Sequence, residues 1–264
     1  MSTNTGVPIE GAETLAPGGF VVVPKASRHP YAKPKCFSCG IRERCMACCG
    51  LTRLEMKVAN DLVFNRSRVR RGEYLYRASD RFVYLYALRK GFFKTTVPLK
   101  NGQRDQVTAF VMSGDMLGMT GIGPERYTCN AIALEDSDVC AISFTKWQKL
   151  AHKYPNLQHQ FSKTMSREIV RENGVMLKLG SMNAEERLAI FLLNLSKRYA
   201  ACGESPTELN LRMTRDEIGS YIGLKLETVS RNLARLQDEG FISVQGRHIR
   251  ILDTTGLERG IGRN

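Results

Sequence analysis

The sequence has no apolar run near the about 18 residues that a membrane-spanning helix needs. Its first residues show no charged segment followed by an apolar stretch and a small-residue cleavage site. A secretory leader is therefore not expected, and the chain is placed in the cytoplasm with no membrane partner. Histidine is scarce. The four, His29, His152, His159 and His248, are scattered, and no nucleophile–base constellation accompanies them, so an enzyme is not expected. Acid is short in one part only. Residues 1–182 hold 27 Lys/Arg against 15 Asp/Glu, a net of +12, whereas residues 183–264 hold 12 against 11, a net of +1. The overall +13 suggests a polyanionic partner, but bulk charge does not say which segment meets it. The run Arg66, Arg68, Arg70, Arg71 reads as a solvated strand end rather than a binding patch.

Cysteine, by contrast, is concentrated. Of the eight, Cys36, Cys39, Cys45, Cys48 and Cys49 fall within fourteen residues. In a reducing cytosol such a cluster points to metal binding rather than to disulfides. Cys36-x2-Cys39-x5-Cys45 supplies three thiolates in a short loop, and a distant fourth would complete a four-thiolate set for an iron–sulfur cluster. Cys140, on a predicted strand, is one such thiol. Two other readings stay open. Cys36, Cys39, Cys45 and Cys48 would suffice for a local zinc knuckle, and the thiols could carry no metal. Cys129 and Cys202 read as small core residues.

Along the chain, residues 1–34 are rich in Gly, Pro, Ser, Thr and Ala and read as a disordered arm. Leu51, Leu54, Val58 and Leu62 have helical spacing, which predicts a short amphipathic helix over 51–63. From about 65 to 145, short Val/Tyr/Phe/Thr-rich segments alternate with turn signals such as Lys90-Gly91, Asn101-Gly102 and Ser113-Gly114-Asp115. That texture predicts a small β-roll. Thr145–Tyr154 reads as a short helix that stops near Pro155. In the long helix predicted over 156–182, Phe161, Met165, Ile169, Glu172, Met176 and Leu179 recur at steps of 4, 4, 3, 4 and 3. A narrow stripe of this kind suits the seam of a homodimer. Glu172 within it would be partly desolvated and would face its own copy, making dimerisation conditional.

The C-terminal segment carries the clearest signal. Asn183-Ala-Glu-Glu186 is a capping box that opens a helix to about Ala200. Thr214 caps a second helix, with Glu217 three residues on, and Gly223-Leu224 breaks it. A third runs over about 225–239 and stops at Gly240. Phe241–Leu252 turns at Gln245-Gly246 as a wing. This is the order of a winged helix-turn-helix. Glu227, Ser230 and Arg231 project together from the N-terminal half of the third helix, the end that enters the major groove. Arg suits guanine O6/N7, Glu suits cytosine N4, and Ser suits several base edges. Lys225, Thr228 and Arg215 are placed for phosphate contacts.

Residues 184–252, with AEERLAIFLLNLSKRY and MTRDEIGSYIGLKLETVSRNLARLQDEG, resemble the effector domain of the CRP/FNR family, and Glu227-x-x-Ser230-Arg231 is similar to the FNR-type reading triplet. The resemblance extends over roughly 36–252. It implies an α+β fold: a cyclic-nucleotide-binding-like β-roll with the cysteine-rich loop (35–155), a dimerisation helix (156–182), a winged helix-turn-helix (183–252) and a tail (253–264). It implies a homodimer on double-stranded DNA at a palindrome resembling TTGAT-N4-ATCAA, acting through RNA polymerase, with Pro98–Gln106 as the polymerase contact. It also implies an oxygen-responsive [4Fe–4S] cluster on Cys36, Cys39, Cys45 and Cys140, with Cys48 as the alternative third ligand because the stretch to Leu51 is longer than in the family. A cyclic nucleotide is not expected, because Arg126 is followed by Tyr127 rather than Ser and no Glu follows Gly118.

Overall fold

The structure, a computed structural model, describes residues 63–99 and 104–260 together with Cys36, Cys39, Ile41 and Cys45. The expected arm over 1–34, residues 51–62 of the helix expected over 51–63, Cys48, Cys49 and residues 100–103 lie outside the described residues, and Val63 begins a strand instead. Eight antiparallel strands make two four-stranded sheets. One has the order β1 (Val63–Val69), β8 (Ser137–Ser143), β3 (Tyr84–Lys90), β6 (Met116–Leu117). The other runs β2 (Tyr74–Tyr76), β7 (Asn130–Ala133), β4 (Phe92–Val97), β5 (Gln106–Met112). Alternating apolar residues close the roll between them: Leu75, Leu88, Phe93, Ala131 and Val139 are buried in one cluster.

The stretch AIALEDSDVCAIS spans β7 and β8, two strands in different sheets. The break falls at Glu135-Asp136, where the Asp136 carboxylate accepts from Arg68 at 2.8 Å and from the Arg71 N–H at 3.0 Å. The arginine run therefore lies along β1 with acid beside it, and Arg66 pairs with Asp138 at 2.8 Å.

Helix α1 (Phe144–Lys153) is followed at once by α2 (Pro155–Ser181). Pro155 does not merely stop the first helix. It takes the first position of the second, where its missing N–H costs nothing. Helix α3 (Ala184–Ala201) opens on the expected capping box, with Asn183 accepting from Glu185 and Glu186. The head continues with β9 (Glu208–Asn210), α4 (Arg215–Ile222), α5 (Leu226–Asp238), β10 (Ile242–Gln245), β11 (His248–Ile251) and α6 (Thr254–Gly260).

Two features of the head differ from the sequence reading. The wing is three-stranded, because β9 pairs with β11. The segment set aside as a tail over 253–264 contains α6, anchored by Leu257, which is 1% exposed. Burying one leucine stabilises by about 1.5–3 kcal/mol, enough to hold so short a helix.

Head and roll share a core. Phe92, Val107, Phe110 and Met112 of the roll belong to the same buried cluster as Leu192, Ile218, Val229 and Leu233 of the head. The boundary between them is a packed contact.

Candidate DNA-reading face and cysteine site

The geometry of the reading head follows from a few residues. Thr214 accepts from the Glu217 N–H at 3.1 Å, and Glu217 Oε2 accepts from the Thr214 N–H at 2.6 Å, so α4 starts on a complete capping box. It ends at Gly223, whose φ of +69° is left-handed. Gly219 allows the turn to fold back: a Cβ there would sit 2.5 Å from the Leu224 carbonyl oxygen. Helix α5 then buries Val229, Leu233 and Leu236 and turns its other face out.

On that outward face Glu227 and Arg231 are exposed and Ser230 is half-buried. The Ser230 hydroxyl accepts from Arg215 Nη1 at 3.3 Å, and Arg231 Nη2 reaches Thr228 Oγ1 at 3.5 Å. Arg215, read from sequence as a phosphate contact, thus also touches a member of the reading triplet. Among the described residues no ion pair joins Glu227 to Arg231, so the two are not an ordinary i, i+4 helix pair. Lys225 is exposed at the N-cap of α5 and makes no side-chain cap, which leaves the first N–H groups of that helix to outside acceptors.

The three N-terminal thiols of the sequence reading meet the strand thiol. Cys36, Cys45 and Cys140 are buried in one apolar cluster with Leu85, Trp147 and Leu157, and Cys39 packs against it. Cys140 sits on the central strand β8, between Arg66 of β1 and Ala87 of β3. Burial pushes its thiol up to about 12, with Cys45, Cys36 and Cys39 adding to the rise and Arg66 opposing it. None of the described cysteines is in a disulfide. Among the described residues no three Cys, His, Asp or Glu groups stand in the geometry of a bound ion. The structure therefore gathers four thiols without completing a coordination sphere. Two observations fit an anionic sulfur-ligated group there. The donors are soft and screened from water. Among the described residues the indole Nε1–H of Trp147, in the same cluster, is buried with no partner and is available to an acceptor.

The dimer stripe of α2 divides. Phe161 packs on Trp147 of its own chain, ring centroids 4.4 Å apart, and Met165 lines a cavity against the roll. Ile169 is 53% and Val170 68% exposed, and Glu172 is exposed beside them. The side chains of Met176 and Leu179 lie outside those described. The sequence reading missed Val170 and Glu168. Burial raises the Glu168 carboxyl, and its partner Arg171 opposes that rise. With Glu168 and Glu172 on its wall, and with Arg171 there already paired with Glu168, the cavity of about 260 Å³ between α2 and the roll is poorly suited to a phosphate. Arg126 points elsewhere, donating to the Ser79 carbonyl at 2.8 Å. Cys129 is buried in the roll as expected, but Cys202 is only half-buried and its sulfur meets the Ser113 carbonyl at 3.4 Å.

Comparison with known proteins agrees with this architecture. The Crp-like helix-turn-helix domain matches residues 186–259, and the cyclic nucleotide-binding domain matches residues 66–154. The transcriptional regulatory protein btr of Bordetella pertussis is 42% identical over 228 residues, covering 86% of this chain and 93% of btr. The chain belongs to the CRP/FNR family. The fumarate and nitrate reduction regulatory protein of Escherichia coli K12 is 38% identical over 227 residues, covering 86% of this chain and 90% of that one. The solved structure of FixK2 from Bradyrhizobium japonicum aligns with a TM-score of 0.68 at 28% identity, over 74% of this chain and 96% of FixK2. The chain is thus a transcription regulator with a DNA-binding helix-turn-helix, and not an enzyme. Among the described residues no helix is long and apolar enough to cross a membrane.

Proposed function

We propose that the chain is an oxygen-responsive regulator that binds a palindrome resembling TTGAT-N4-ATCAA as a homodimer in the cytoplasm, acts through RNA polymerase, and is controlled by a [4Fe–4S] cluster. The observation that carries this reading is the convergence of Cys36, Cys39 and Cys45 on Cys140 in one buried cluster. A local zinc knuckle would not need the strand cysteine. When bound, such a cluster would supply oxygen-labile redox chemistry, and Cys36, Cys39, Cys45 and Cys140 would hold it. Trp147 and the start of α2 respond to that site directly: Leu157 and Phe161 of α2 pack in the same cluster as the thiols. A change in the thiol loop is thereby felt at the foot of the helix that exposes Ile169 and Val170, the apolar face for a second copy. Glu172 beside that face opposes pairing, so the dimer forms only when the foot of α2 is well packed. Each head then presents Glu227, Ser230 and Arg231 to base edges, with Lys225, Thr228 and Arg215 on the backbone.

The test is purification without oxygen, measurement of iron, sulfide and zinc with the visible spectrum, and then admission of air. Iron and sulfide that are lost in air together with DNA affinity support the reading. A colourless zinc protein with unchanged affinity in air would leave a constitutive CRP/FNR regulator and sink the sensor.

A further inference from the structure

The reading head is strapped to the roll by contacts that its DNA chemistry does not explain. Both acids in the first turn of α4 are tied to roll residues. Glu217 Oε1 accepts from Lys94 Nζ of β4 at 2.7 Å, and their side chains are only 17% and 19% exposed. Asp216 accepts from Arg104 at 2.9 Å in the open. One turn on, the Ser220 hydroxyl accepts from the Val107 N–H at 2.9 Å, and the Ser220 carbonyl accepts from the Gln106 amide. Behind these, Phe110 packs edge-on against Tyr221 with centroids 5.2 Å apart. This docking does not cover the reading face, because Glu227 and Arg231 remain exposed. Lys225 and Glu227 also line a cleft with Tyr74, Lys94 and Arg104 of the roll, so the docked head is held at one angle with this edge of its reading face beside the roll.

We propose that Lys94 is a positioning residue for DNA recognition: its pair with Glu217 fixes the angle of each head on its roll, and so the distance between the two heads of the dimer. The proposal rests on the homodimer and palindrome put forward above. Glu217 is suited to the task because its two oxygens serve different partners, Lys94 in the roll and the Thr214 cap of α4. Burial alone would raise its carboxyl, but the hydrogen bonds from Lys94 and the Thr214 N–H outweigh that and hold it below the ordinary carboxylate range. From α4 the linkage continues through Arg215 to Ser230 on α5. A chain of contacts thus joins β4 to the reading triplet. The pair is mostly buried, so removing Lys94 leaves a poorly solvated carboxylate between β4 and α4. Arg104, whose side chain is 88% exposed, contributes far less.

The experiment uses full-length protein purified without oxygen and duplexes whose half-sites are four base pairs apart, one or two closer, or one or two further, with a single half-site as reference. The parent is expected to prefer one spacing by roughly tenfold or more. Lys94→Ala should flatten that preference to below about threefold and weaken the preferred duplex by roughly five- to tenfold. Its affinity for the single half-site should stay within about twofold, which a misfolded head would not allow. Lys94→Arg should restore the preference, and Arg104→Ala should leave it in place. A parent with no spacing preference overturns the dimeric reading and the latch with it. A parent with a preference that Lys94→Ala keeps overturns the latch alone. Equal loss on every duplex, half-site included, also overturns it, since that is the signature of a damaged head.

Discussion

The part of the chain that holds the helix-turn-helix, residues 183–264, carries a net charge of +1, while residues 1–182 carry +12. Their difference shows where charge does its work. In the roll, cations are spent locally: Arg66 and Arg89 share Asp138, Arg68 meets Asp136, and Arg126 caps a carbonyl. In the head, cations and anions balance, but a few stand in register on one helix face. Choosing a sequence needs those few groups in place, whereas attraction to phosphates adds affinity without sequence information. The two parts also pair with each other. Roll cations Lys94 and Arg104 answer the acids of α4, and head arginines Arg198 and Arg212 answer Asp115 and Glu135 of the roll.

The comparison breaks most sharply if one residue of each part is removed. Cys140→Ala is expected to have the largest effect: no retained iron or sulfide, and DNA binding without oxygen reduced to the non-specific level, about 10³-fold or more weaker. Iron assay and a binding titration check it, and a variant that binds like the parent would separate the thiols from DNA control. Arg231→Ala comes next. Loss of a bidentate guanine contact should cost about 1–3 kcal/mol at one base position and leave binding to unrelated DNA almost unchanged. A uniform loss on all sequences would instead make Arg231 a phosphate contact. Gly219→Ala tests the head as a fold: its Cβ would stand 2.5 Å from the Leu224 carbonyl, so a loss of about 1–3 kcal/mol should appear as a lower melting temperature. An unchanged melting temperature would show that the turn can move aside.

How much of this was legible in the sequence depended on whether the signal was local. The caps at Asn183 and Thr214, the break at Gly223 and the buried stripe of α5 are local, and the residues show them directly. Helix α6 was not legible because one anchor, Leu257, sets no period. The α2 stripe was over-read: period alone cannot tell a face that meets its own roll, as Phe161 does, from one left exposed, as Ile169 and Val170 are. The meeting of Cys36, Cys39 and Cys45 with Cys140 was expected only through family resemblance, since nothing in spacing links a loop to a strand a hundred residues on. The Lys94–Glu217 pair spans 123 positions and left no trace in the pattern.

A smaller effect is expected on α2. Glu172→Ala removes a carboxylate beside Ile169 and Val170 and should tighten the dimer in air by about 1 kcal/mol per copy at most. Sedimentation of the air-exposed protein measures it. A variant as monomeric as the parent would place the conditional step elsewhere.

The smallest effect should come from the arginine run at β1. Arg68 pairs with Asp136 at 2.8 Å, but the two side chains are 54% and 52% exposed. Such surface pairs contribute about 0–1 kcal/mol. Arg70 and Arg71 are exposed at the turn that follows β1. The double variant Arg68→Ala with Arg70→Ala lowers the net charge by two. It should therefore leave specific DNA affinity within about twofold at physiological salt, with no change in the slope of log affinity against log salt. Removing a cation that touches a phosphate lowers that slope by roughly one. A slope that falls by two would mean that the roll itself lies on the DNA backbone, and the excess of cations in residues 1–182 would then be part of the binding surface.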